Sequence, residues 1–213
     1  MCRNCNAGFF TDDWGATSCK ACPRGTYNTF EGGQTLSICF PCPPGSIGEE
    51  LSRTTEDSCK KCDAGKISKV LPNLLAIGVS DKGGTICGVC GAGKTAAVGS
   101  SVCVPCVAGT ELVGTTCTSC ELGQQSRGGA FPCTDCEAGM YGAANKESCI
   151  SCLKGRFSTK VKATTNTVCM ACDKGRYNSV RGAAEEAACN RCPAGRFGNQ
   201  EGQPSSLSCQ PCR

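Results

Sequence analysis

The chain has 213 residues, 24 of them cysteine, with 22 basic against 18 acidic side chains and no histidine. That cysteine content marks a disulfide scaffold, and Leu, Ile, Val and Phe, 33 residues together, are too few to build the one or two ordinary cores that this length suggests. The net charge of +4, with no Lys/Arg cluster interleaved with aromatics, gives no case for nucleic acid, and the near balance of charge argues against disorder.

Read from the N-terminus, the chain opens on Met1-Cys2-Arg3-Asn4-Cys5 without the apolar stretch of a signal peptide. Its cysteines nevertheless call for an oxidising compartment. The expectation is a processed product, or a piece of a longer chain that is secreted or displayed at the cell surface. Every cysteine falls in a Cys-x-x-Cys pair, and the twelve pairs begin at Cys2, Cys19, Cys39, Cys59, Cys87, Cys103, Cys117, Cys133, Cys149, Cys169, Cys189 and Cys209. Three residues after the second Cys of each of the first eleven pairs stands a glycine, from Gly8 to Gly195. A fixed offset repeated so often predicts a turn with positive φ, which a Cβ disfavours. Two residues further on, the outer repeats carry Phe10, Tyr27, Ile47, Ile67, Tyr141, Phe157, Tyr177 and Phe197, read as the side chain that covers the disulfides as a miniature core.

Loop length divides the array into three blocks. Residues 1–86 hold regular repeats and one long loop, 63–86; residues 87–136 hold compact repeats with Thr95, Glu111 and Gln125 at the aromatic position; residues 137–213 are regular again. The long loop concentrates Val70, Leu71, Leu74, Leu75, Ile77 and Val79 among otherwise polar loops, which makes it the candidate assembly contact. Residues 150–213 carry ten basic and four acidic side chains, a balance of +6. The fold class expected is small disulfide-rich repeats: an extended rod or solenoid of short β-ribbons and turns with little helix, each repeat touching only its neighbours.

The run from Cys22-Pro-Arg-Gly-Thr-Tyr27 through Cys39-Phe-Pro-Cys42-Pro-Pro-Gly45, echoed by Cys192-Pro-Ala-Gly-Arg-Phe197, resembles the cysteine-rich repeat of ephrin-receptor-like extracellular domains. It is similar also to the first loop of tumour necrosis factor receptor modules and to protist cysteine-rich surface proteins. The resemblance implies fold and an extracellular setting more firmly than function.

Periodicity constrains the disulfides without fixing them. If one pair is the repeating unit, the second Cys of each pair joins the first of the next, giving a ladder: Cys5 with Cys19, Cys22 with Cys39, Cys42 with Cys59, Cys62 with Cys87, Cys90 with Cys103, Cys106 with Cys117, Cys120 with Cys133, Cys136 with Cys149, Cys152 with Cys169, Cys172 with Cys189 and Cys192 with Cys209. Cys2 and Cys212 are then left over. The competing wiring joins first to first and second to second in two-pair modules, beginning with Cys2 to Cys19. A third reading places four thiolates on each of six zinc ions.

Gly88-Val-Cys-Gly-Ala-Gly93-Lys94-Thr95 fits the phosphate-loop pattern letter for letter, but that mechanism requires a strand before it and a helix after it. With no histidine, and with acidic pairs such as Asp12-Asp13 in loops, no catalytic constellation, cofactor or metal site is expected. The most apolar stretch, Val70 to Val79, is too short to span a membrane and contains Pro72 and Gly78. The sequence points to a structural segment of an extracellular filament, stalk or coat whose partners are copies of itself. The alternative is a receptor-type ectodomain that binds another extracellular protein.

Overall fold

The computed structural model describes residues 4–70 and 83–212. Two compact units divide the chain, one formed by Met1–Pro105 with Gly114–Thr116 and the other by Cys106–Val113 with Cys117–Arg213. Both are built of antiparallel two-stranded ribbons, eleven among the described residues. The strands are two to four residues long, and apart from single 3-10 turns no helix occurs among these residues.

One repeat shows how the sequence makes the unit. In Cys172-Asp-Lys-Gly-Arg-Tyr177 the residues after the cysteine form a tight turn in which the Arg176 N–H donates to the Asp173 carbonyl at 3.1 Å. Gly175 takes the third position of that turn with φ +78°, the place where only glycine is free of Cβ strain. Arg176–Tyr177 then pairs with Asn190–Arg191, Arg176 opposite Arg191 and Tyr177 opposite Asn190. The ribbon closes where the Cys192 N–H donates to the Gly175 carbonyl at 2.9 Å. The glycine therefore serves the ribbon twice, through its φ and through its carbonyl.

Disulfides close the loops, running from Cys5–Cys19 to Cys192–Cys209 in the ladder arrangement. Each clips a loop of 11 to 25 residues, a constraint on the unfolded chain of about 3 kcal/mol per loop in the chain-entropy account. What little core exists lies against these bonds. Phe157 packs with Cys172, Cys189 and Ala183, and Phe10 packs with Cys22, Cys39, Leu36 and Ile38. In both cases the aromatic covers the disulfide of the following repeat, so the ring is a joint between repeats.

Loop length decides how the ribbon returns. Loops with a cysteine separation of 17 end in a 3-10 turn, as at Asn166–Val168 or Glu186–Ala188, and its first carbonyl accepts from the N–H of the closing cysteine. Two shorter loops, Cys120–Cys133 and Cys136–Cys149, each with a separation of 13, contain no such turn. They satisfy the same N–H by another route, described next.

Candidate functional site

The seam between successive repeats is where this chain concentrates its polar groups, and three contacts recur along it. The repeat glycine N–H donates to the carbonyl of the residue three places after the next repeat's glycine, as from Gly8 to Asn28 (2.8 Å), Gly109 to Ser126 (2.8 Å) and Gly155 to Asn178 (2.7 Å). The second Cys of a pair accepts through its carbonyl from the following loop, as from Gly32 to Cys5 (2.7 Å) and Lys162 to Cys136 (2.8 Å). The side chain three places after the glycine is buried and polar where it is Asn28, Asn178, Ser126 or Ser158. Asn178 donates from Nδ2 to the Arg156 carbonyl of the preceding repeat at 2.9 Å and accepts from the Val180 N–H at 2.9 Å. Ser126 donates to the Thr110 carbonyl at 2.8 Å. An apolar residue at these positions would leave buried backbone groups without partners.

The structure corrects the expectation that each repeat touches only its neighbours. The turn at Gly25 lies against the loop two repeats on, where a methyl on Gly25 would stand 2.6 Å from the Gly83 carbonyl oxygen. One on Gly109 would stand 2.5 Å from the Asn145 oxygen, and Gly139 and Gly155 meet the Gly182 and Gly202 carbonyls in the same way. Most loops that face such a turn themselves pass through positive φ, at glycine in Gly182 and Gly202 and at a non-glycine in Ser52, which meets Gly8, in Lys146, and in Lys162, which meets Gly123.

The polar residues at the aromatic position of the compact repeats have a structural role that sequence reasoning missed. Glu111 accepts from the Cys133 N–H at 3.0 Å and Gln125 from the Cys149 N–H at 2.7 Å, each reaching into the next repeat. These are the closing cysteines whose loops lack a 3-10 turn, so a side-chain oxygen replaces the missing carbonyl. Thr95 donates to the Thr115 carbonyl. The readable signal was the pairing of a short loop with an acceptor at the aromatic position of the repeat before it.

Of the candidate assembly residues, Val70 is half-buried, while Leu71, Leu74, Leu75, Ile77 and Val79 lie outside the described residues. Apolar side chains are exposed elsewhere among the described residues. Trp14 is fully exposed at its loop tip, Phe30 stands edge-on to Phe40 at 6.3 Å, and Val89, Leu122, Phe131 and Leu207 also face solvent.

Lys20 Nζ bridges Asp12 and Asp13, 2.9 Å from the latter. The hydrogen bond from Lys20 lowers the Asp12 pKa, and the bonds to Asp12 and Asp13 raise that of Lys20, which fixes both in their charged forms. The segment that fits the phosphate-loop pattern runs from the strand Ile86–Val89 through disulfide-bonded Cys90 into the strand Lys94–Thr95. No helix follows to cradle phosphate. A sulfur held in a disulfide is not a thiolate ligand, so the 22 bonded cysteines supply no zinc site. Among the described residues Cys212 is a free, exposed thiol, and Cys2 lies outside them.

Comparison with known proteins agrees with this geometry at the N-terminus. Residues 1–39 match the family model described as tyrosine-protein kinase ephrin type A/B receptor-like. The match spans the first closed loop and the second up to Cys39, where the glycine turn, the aromatic and the ladder disulfide all occur. No curated protein matches the chain. The same glycine turn, ribbon and closing disulfide recur along both units, and the chain is a cysteine-rich repeat array. Its disulfides are compatible with an extracellular location, and no helix among the described residues is long and apolar enough to cross a membrane.

Proposed function

We propose that the chain is a non-catalytic segment of an extracellular filament, stalk or coat that associates with copies of itself. The observation that carries this reading is the repetition of one joint: the same glycine N–H, cysteine carbonyl and turn contact link repeat to repeat in both units. Such a joint repeats within each unit and devotes its polar groups to the array itself. The hydrogen bond from Lys20 lowers the Asp12 pKa in solvent, away from the near-neutral value that acid–base work needs.

The candidate contact comes from sequence, in the six aliphatics of the 63–86 loop. Sedimentation and electron microscopy of the oxidised 213-residue protein test the reading, with concentration-dependent polymers expected for the native chain and weakened assembly on changing Leu74, Leu75 and Ile77 to Ser. A strictly monomeric native protein overturns it. The match of residues 1–39 to a receptor-like family favours a second reading, a receptor-type ectodomain that engages a protein ligand along its repeats, for which a monomer is the expected state.

A further inference from the structure

Three successive repeats of the second unit carry an arginine immediately after the repeat glycine: Arg156, Arg176 and Arg196. They are held in one pose. Each donates from a terminal guanidinium nitrogen to the carbonyl of its own loop's closing cysteine, Arg156 to Cys169 at 2.8 Å, Arg176 to Cys189 at 3.2 Å and Arg196 to Cys209 at 3.0 Å. The repeats are stacked in register by the bonds from Gly155 to Asn178 and from Gly175 to Gly198, so the three guanidinium groups recur at a constant interval. Lys154 and Lys174 stand two residues before Arg156 and Arg176, both exposed, and Arg191 is the cross-strand partner of Arg176.

None of these six cations makes an ion pair among the described residues; the lysine of this region that does is Lys162, with Glu121. Nearby acids do exist, Asp173, Glu185 and Glu186 in the middle repeat, yet none comes within bridging distance. Two arginines directly opposite on a ribbon repel each other, a cost that a shared anion removes. One backbone bond orients each guanidinium and leaves its other donors free for bidentate contact with an oxyanion.

From this geometry we infer that the row Arg156, Arg176 and Arg196, flanked by Lys154, Lys174 and Arg191, binds a linear sulfated polysaccharide. A regularly spaced set of identically posed cations suits a polymer whose anions also recur along its length. Sulfate offers the planar fork of arginine three acceptor oxygens, and an extracellular setting makes such a polymer available. The choice of partner rests on that setting, but binding does not depend on self-assembly, so this inference and the proposed function fail in different assays.

The test is retention of the oxidised protein on immobilised dextran sulfate, read as affinity against salt. The combined substitution Lys154→Ala, Lys174→Ala and Arg191→Ala removes three cations that make no hydrogen bond or ion pair among the described residues. It is expected to weaken binding about tenfold or more near physiological salt and to flatten the salt dependence, as loss of released counterions requires. An equal charge loss at Lys60, Lys61 and Lys94 in the first unit is expected to change affinity by less than about twofold, because it lowers the net charge by the same amount and leaves the row intact. Equal weakening by both sets overturns the inference, since the attraction is then to net charge alone. Binding to polyglutamate or single-stranded DNA as tight as to dextran sulfate also overturns it, in favour of an acidic protein segment or a nucleic acid.

Discussion

Replacing Gly109 and Gly175 by alanine separates two demands that one glycine meets. Their φ values are +79° and +78°, so the left-handed strain introduced by a Cβ is the same at both, roughly 1–2 kcal/mol. The reduced freedom of the unfolded chain offsets about 0.4–1 kcal/mol of it. The surroundings differ. A methyl on Gly175 has no heavy atom within 4 Å, whereas one on Gly109 lies 2.5 Å from the Asn145 carbonyl oxygen, about an ångström inside ordinary contact. The obstacle is backbone and cannot swing aside, so an overpacking cost of about 1–3 kcal/mol adds at Gly109 alone. Native-state amide exchange reads the difference locally, through the Cys120 N–H bonded to the Gly109 carbonyl and the Cys192 N–H bonded to that of Gly175. Exchange at Cys120 in Gly109→Ala is expected to accelerate at least about tenfold more than exchange at Cys192 in Gly175→Ala, tenfold corresponding to about 1.4 kcal/mol. Equal acceleration would refute the close approach of the loop two repeats on.

Gln125→Leu keeps the bulk but removes the acceptor for the Cys149 N–H, so Cys149 amide protection should fall by an amount equivalent to about 1–2 kcal/mol; Gln125→Glu should retain it. Tyr177→Leu should leave the Cys209 amide protected, because the Ser206 carbonyl accepts that proton. Ser52 adopts φ +53° where other repeats place glycine, so Ser52→Gly should stabilise the first unit by up to about 1 kcal/mol in thermal unfolding, and Gly182→Ser should destabilise the second by a similar amount.

The ribbon and its turn were legible because each is a local rule written eleven times: a cysteine, two residues, a glycine and, in the outer repeats, usually an aromatic; the ladder was one of the wirings that the same periodicity allowed. Positive φ followed from the glycine alone. What periodicity could not convey is which repeat a side chain serves. Phe157 reads as a cover for the disulfides without saying which one, and it lies on Cys172–Cys189 of the next repeat. Glu111 and Gln125 read as lapses from the aromatic rule, yet each is the hydrogen-bond acceptor that the next, shortened loop lacks. Asn28 and Asn178 look like loop residues by composition, and both are fully buried at the seam. The cationic row was present in the sequence as a charge balance, but its common pose depends on a side-chain bond to a cysteine carbonyl that spacing does not predict.

Contact with the next repeat but one changes how the array resists unfolding. In a chain of strictly nearest-neighbour repeats, opening one unit exposes two interfaces and leaves those beyond it intact. Here the loop that holds Gly182 packs on the turn at Gly139, while the loop that holds Gly202 packs on Gly155 and donates its N–H to Cys172. Opening the repeat from Cys172 to Cys189 therefore removes support from the turns of both repeats that precede it, and from the donor that follows it. Within each unit, cooperativity then extends over at least three repeats even though each disulfide closes only one. The bonds keep every loop compact, and the glycine joints make the loops fold together.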